Sequence, residues 1–199
     1  MAEFRKTLAG SLETKIAAAI SQGYLRVRLW TQDEARIGLM PIVRHRITAK
    51  GVQPLISGEI KRQYFYLFGA IEPATGEDFM LEMPRLDGGT FQVFLEEFAK
   101  LDESSYHLLV VDNATAHTSG ELKVPKNIGF IYLPPNAPEL NPIERFWREL
   151  KDWLSDYEPQ ILTDLSELIT TGLGKFSPAR IRSITSYEYL MEAWETAIA

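Results

Sequence analysis

The chain has 199 residues, 45% of them hydrophobic, with 21 Lys+Arg against 27 Asp+Glu, which suits one substantial core with small appendages. It carries no cysteine and only three histidines, so disulfides, thiolate-held zinc, iron–sulfur clusters and cysteine nucleophiles are excluded and a His-rich metal site is disfavoured. No run approaches the roughly 18–20 apolar residues of a membrane span, and MAEFRKTLAG lacks the apolar centre of a secretory signal; a cytoplasmic protein without a membrane partner is expected.

Helix is predicted over residues 3–20, where Leu8, Leu12, Ile16 and Ala19 recur at helical spacing and Gly23 follows as a stop. The alternating run Leu25–Trp30 predicts a strand that leads into TQDEARIG, with Asp33 at its end. A second strand is predicted over 39–47, and GVQPLI at 51–56 starts another element. YFYLFGAI at 64–71 is the longest β-favouring run and is expected to be central. The PATG turn at 73–76 joins it to a strand at 79–83, giving an antiparallel section of sheet.

The period changes in GGTFQVFLEEFAKL, where Phe91, Phe94, Leu95, Phe98 and Leu101 mark a helical face and Thr90 can cap the start. The apolar run at 107–111 then returns parallel to an earlier strand. A short helix at 114–122 and a strand at 128–133 follow, then the proline-rich loop LPPNAPELNP and an amphipathic helix near 142–154. Ile143, Trp147, Leu150 and Leu154 form its apolar stripe, assisted by Phe146 and Trp153. Further helices are predicted at 161–172, with Leu162, Leu165, Leu168 and Ile169 inward, and over most of 178–198. The domain reading is an N-terminal helix at 1–23, a mixed α/β core at 24–155 and a helical extension at 156–199 packed on that core.

Charge is unevenly placed. Residues 1–66 hold 11 Lys+Arg against 5 Asp+Glu, and residues 67–199 hold 10 against 22. The basic portion, built around Arg26, Arg28, Arg36, Arg44, Arg46, Lys50, Lys61 and Arg62, either faces a phosphate backbone or defends a solvated sheet edge.

Three acids stand where α/β proteins place their chemistry, at strand ends and on the following helix. Asp33 serves either as a turn or cap residue or as a ligand for a hard cation; Glu34 is its neighbour and rival, pointing to the other face. Asp112, directly after LLVV, either caps the next helix or joins the same site, with His117 five residues on as a weaker candidate. Glu144 is the third helical residue after Asn141 and Pro142, which fits a capping box as well as it fits a metal ligand. Glu139 is a further, weaker carboxylate. On the same helix Arg148 and Lys151 share a face with Glu144 and are candidates for phosphate contact, or for an ordinary Glu-to-Arg pair.

Three segments, DEARIG at 33–38, VVDNATAHTS at 110–119 and LPPNAPELNPIERFWRELK at 133–151, resemble the DDE-type transposases of the mariner superfamily, in particular the bacterial insertion-sequence branch. The resemblance covers roughly residues 24–155. It implies a ribonuclease H-like fold and two magnesium ions, for which manganese substitutes, held by Asp33, Asp112 and Glu144. It further implies cleavage of transposon-end DNA, followed by attack of the freed 3′-hydroxyl on target DNA. Expected partners are those DNAs, a second copy of the chain, and an upstream helix-turn-helix recognition domain or a separate gene product carrying one. The chain departs from the pattern in a shorter spacing between Asp112 and Glu144. The alternatives are an integrase- or ribonuclease-like metal nuclease, or an inactive transposase-derived module for DNA binding or oligomerisation.

Overall fold

The computed structural model describes residues 2–39, 50–51, 61–112 and 122–199. Helix α1 (Ala2–Ser21) precedes three strands, β1 (Arg26–Gly38), β2 (Tyr64–Ile71) and β3 (Asp78–Met83). Helix α2 (Gly88–Ala99) crosses to β4 (Ser105–Val111), and β5 (Ile128–Tyr132) follows. A 3-10 turn (Pro138–Leu140) leads into α3 (Ile143–Leu154), and α4 (Leu162–Leu173), α5 (Pro178–Thr185) and α6 (Glu188–Ile198) complete the order. The strands form one mixed sheet, β3-β2-β1-β4-β5. Pairing is antiparallel from β3 through β1 and parallel from β1 through β5. A short turn with Gly76 at φ 78 joins β2 to β3, whereas the parallel β4 needs the crossover that α2 supplies. This is a mixed α/β, ribonuclease H-like architecture with helices on both faces of the sheet.

The period-2 pattern sorts the two faces. Leu29, Ala35 and Ile37 of β1 share one face with Leu67 and Ile71 of β2, Leu108 and Val110 of β4 and Ile131 of β5. Against it pack α1 and α6 on one side and α3, α4 and α5 on the other. The opposite face carries Trp30, Phe68, Ala70, Leu109 and Val111 against Phe91, Phe94, Leu95 and Phe98 of α2. Each of these α2 side chains is fully buried, a contribution of roughly 1.5–3 kcal/mol apiece. Leu8, Leu12, Ile16 and Ala19 of α1 are buried as their spacing predicts.

Several expectations shift. The strand expected at 25–30 runs on to Gly38, because Thr31–Gly38 pair with β2; Asp33 therefore lies inside a strand. YFYLFGAI forms β2, but β1 is the central strand. Asp87, not Thr90, caps α2: its carboxylate accepts from the Thr90 amide while the Thr90 hydroxyl accepts from the Asp87 amide. Leu101, expected on the helical face, lies beyond α2 and is exposed. The final helical stretch breaks between Thr185 and Glu188. The strand expected at 39–47, the element at 51–56 and the helix at 114–122 fall largely outside the described residues, as do Arg44, Arg46 and His117.

One member of the basic portion is spent inside. Arg28 is only 4% exposed and forms a two-pronged pair with Glu72, at 3.1 and 2.7 Å, and a further pair with Glu77. Its guanidinium also lies 4.5 Å from the Trp30 ring. A buried, paired arginine of this kind is unavailable to a phosphate backbone. Next to it, the Trp30 indole donates to His107 Nδ1 at 3.1 Å, and His107 Nε2 lies 3.0 Å from the Asp102 carbonyl. The two contacts fix a neutral imidazole with its proton on Nε2, and burial lowers the His107 pKa.

Candidate active site

Register brings the two aspartates together. β1 and β4 run parallel with Leu29 opposite Leu108 and Thr31 opposite Val110. Two residues beyond this last pair on each segment stand Asp33 and Asp112, and the charge of Asp112 acts on Asp33. Asp112 is exposed at the mouth of a cleft of about 410 Å³, whose other wall is the loop from Leu133 to Pro138. Asn136 in that loop adopts φ 55, a left-handed turn that asparagine tolerates better than most residues.

Helix α3 carries Glu144 over this pair, and its start is fixed to β1. The Asn141 side-chain amide donates to the Gln32 carbonyl at 2.9 Å, one residue before Asp33. Its backbone N–H is taken by Pro138 at 2.9 Å. The expected capping box is thus absent: Pro142 occupies the N-cap position and no side chain caps the helix. The reason is competition. The bond to Gln32 turns the Asn141 side chain toward the strand and leaves its Oδ1 buried without a donor, and with the Asn141 backbone N–H taken by Pro138, Glu144 has nothing to turn back to. Glu144 is half-buried and free of the capping role that would have opposed ligand binding.

Two more side chains set the Asp33 carboxylate. Trp147, one turn beyond Glu144 on the buried stripe, donates its indole N–H to Asp33 Oδ2 at 3.0 Å. The ring crosses the sheet over Gly69, the residue paired with Asp33 on β2. A Cβ at Gly69 would stand 2.5 Å from the indole and 2.8 Å from Met80 Sδ, so only glycine leaves room. Asparagine as a strand anchor, tryptophan as a carboxylate donor and glycine as a gap are roles that sequence patterning assigns instead to cap, core and turn.

Electrostatics report how close the acids are. The Asp33 pKa is pushed up from 3.8 to about 8, first by burial, then by the negative charges of Glu34, Glu144 and Asp112. Glu34 points to the other face, where Gln32 donates to it at 2.9 Å. Among the described residues no three acidic or histidine side chains close into a ready-made metal site. The arrangement still fits a hard divalent cation: it is three carboxylates from separate rigid elements, one of them destabilised by its like-charged neighbours.

The remaining candidates divide. Arg148 is exposed on the Glu144 face of α3, and Lys151 lies one turn further along. Glu139 opens onto a different cleft, of about 710 Å³, beside Arg5, Arg145 and Tyr187. Tyr187, between α5 and α6, stacks under Arg145 at 4.4 Å and feels both Arg148 and Glu144. The C-terminal helices thus line this second cleft.

A family model described as DDE superfamily endonuclease matches residues 28–169. The chain belongs to this family. The endonuclease fold is also that of solved mariner-like transposases. A Mos1 strand transfer complex matches with TM-score 0.64 at 14% identity, covering 98% of this chain and 60% of that one. A Mos1 mariner paired-end complex with Mn matches with TM-score 0.64 at 16% identity, covering 97% and 60%. The chain spans about 60% of the length of these solved chains. A curated relative, the uncharacterized protein y4pE/y4sA of Sinorhizobium fredii, is 37% identical over 107 residues, covering 53% of this chain and 77% of that protein. Among the described residues no helix of this family member is long and apolar enough to cross a membrane.

Proposed function

We propose that this chain is the catalytic core of a cytoplasmic transposase of the mariner superfamily, of its bacterial insertion-sequence branch. It would cut transposon-end DNA and join the freed 3′-hydroxyl to target DNA. The observation that carries the reading is that Asp33 feels the charges of both Glu144 and Asp112, three acids from separate parts of the fold. Family membership and the three motifs at 33–38, 110–119 and 133–151 support it, and Mos1 complexes of the same fold are solved with Mn and with Mg.

In this reading Asp33, Asp112 and Glu144 hold magnesium or manganese. A divalent cation bound there supplies charge neutralisation at the reacting phosphodiester and activates the attacking oxygen. The chain's own work is positioning. Trp147 orients the Asp33 carboxylate, Asn141 fixes α3 against β1, and Arg148 and Lys151 receive backbone phosphates along the Glu144 face. The proposed assembly is a homodimer on paired ends, with end recognition by an upstream helix-turn-helix domain or a separate gene product.

Calorimetric titration with manganese, on the wild type and on Asp112→Asn, tests the site without a cognate DNA. Saturable binding that the variant loses supports it, and nicking and strand-transfer assays then follow. Strand joining favours transposition, whereas breakdown of an RNA–DNA hybrid favours a ribonuclease-like enzyme. A second reading is an inactive DNA-binding or oligomerisation module, in which Asp33 serves as the packing partner of the Trp147 indole. Absence of manganese binding both with and without duplex DNA would establish that reading instead.

A further inference from the structure

Beyond the acids, β1 and α3 lead to one more feature. Arg36 lies three residues past Asp33 on β1, an odd spacing that turns its side chain to the opposite face, where it meets Tyr64. Lys151 lies seven residues past Glu144, about 10 Å along the helix. Both line a cleft of about 370 Å³ at the end of the β1–β2 pair, together with Ile37, Gly38, Arg62, Gln63 and Tyr64. Among the described residues the lining holds three cations and no carboxylate, in a chain whose net charge is −6. Among the described residues no acid pairs with Arg36, Arg62 or Lys151. A positive cleft in an acidic chain points to an anionic ligand.

The cleft is also pre-organised. The Arg36 guanidinium rests on the Tyr64 ring, 4.4 Å from its centroid, and Tyr64 packs edge-on against Tyr66 at 5.8 Å. An arginine stacked on an aromatic face keeps its planar fork of donors directed outward, which suits two oxygens of one phosphate. The backbone beneath is equally fixed: a Cβ at Gly38 would meet the Gln63 carbonyl at 2.6 Å, so β1 and β2 approach as closely there as glycine permits.

The geometry points to this cleft as a clamp for the sugar–phosphate backbone of one DNA strand. Lys151, about 10 Å along α3 from Glu144, sets the clamp roughly three nucleotides from the acids, taking about 3.4 Å of rise per nucleotide on one strand. Arg36, Arg62 and Lys151 contact phosphate oxygens, and Arg148, between Glu144 and Lys151, lies on the path between the acids and the cleft. The contacts are to backbone, so the clamp sets register and carries no sequence preference. This assignment rests on the transposase reading, and it concerns binding rather than metal chemistry, so the two fail separately.

The test is fluorescence anisotropy with a labelled single strand of about 20 nucleotides and its duplex, in EDTA, across a salt series beginning near 25 mM. Arg62→Gln and Lys151→Gln each weaken binding about three- to tenfold. Each lowers the slope of log affinity against log salt by about 0.7 on the single strand, or 0.9 on the duplex. Arg36→Gln does the same, and Arg85→Gln, at an exposed residue paired with Asp87, leaves both quantities unchanged. All four residues are on the surface, and an unchanged melting temperature confirms folding. Unchanged slopes in the three cleft variants would overturn the clamp, as would failure of the wild type to bind either DNA. Manganese calorimetry on the Arg62→Gln/Lys151→Gln double variant matches the wild type if the metal reading holds, whichever way the clamp result falls.

Discussion

Asp33→Asn separates the stability of the site from its function. The folded protein holds the Asp33 proton far more tightly than an unfolded chain does, with a pKa of about 8 against 3.8. The stability this lends is full below about pH 3.8 and is lost progressively as pH rises through about 8. At 1.36 kcal/mol per tenfold change in proton affinity, the ionised carboxylate destabilises the metal-free fold by at most ~6 kcal/mol. Partial exposure and relaxation of the neighbouring acids reduce this to about 1–3 kcal/mol. Asparagine keeps the shape and an oxygen to accept from Trp147, but removes the charge. The variant should therefore melt about 2–10 °C above the wild type near pH 9 in EDTA, and the gap should shrink as pH falls toward 4. With manganese the order reverses its meaning. The wild type gains about 2.7 kcal/mol at a hundredfold excess over the dissociation constant, and the variant gains nothing. Circular dichroism melts at several pH values, with and without metal, read both effects. A variant less stable than wild type at high pH, or a gap independent of pH, would refute the account of Asp33 as a carboxylate strained by burial and by its neighbours.

Gly69→Ala should destabilise by about 1–3 kcal/mol, since its methyl group overlaps the Trp147 ring. The displaced indole should lose its bond to Asp33, read as a change in tryptophan fluorescence together with weaker manganese binding; an unchanged spectrum would refute the packing argument. His107, buried and held neutral between Trp30 and Asp102, has a pKa below its ordinary value of 6.5. Stability should thus be full above about pH 6.5 and fall as pH drops through the folded value. His107→Asn should flatten that loss in melts between about pH 7.5 and 5, and an unaltered acid limb would exclude His107 as its source.

Local pattern determined much of this protein. Helical spacing in α1, α2, α3 and α4, alternation in β1 and the apolar runs of β2, β4 and β5 are properties of a few neighbouring residues, and they reappear in the fold. The proposed acids at 33, 112 and 144 stand out for a related reason: each sits within a short motif on or next to a recognisable element. What local pattern left open is what depends on partners distant in sequence. Asn141 could cap its own helix or reach Gln32 more than a hundred residues away, and tertiary packing selected the second. Whether Asp33 ended a strand depended on whether β2 would pair with its continuation. The influence of Asp112 on Asp33 depends on two strands, separated in sequence by α2, pairing side by side as far as Thr31 and Val110. Arg28 looked like its basic neighbours until Glu72 and Glu77 closed around it. Periodicity specifies which face of an element is apolar. Only the folded chain, choosing among competing hydrogen-bond and charge partners, decides which polar groups meet.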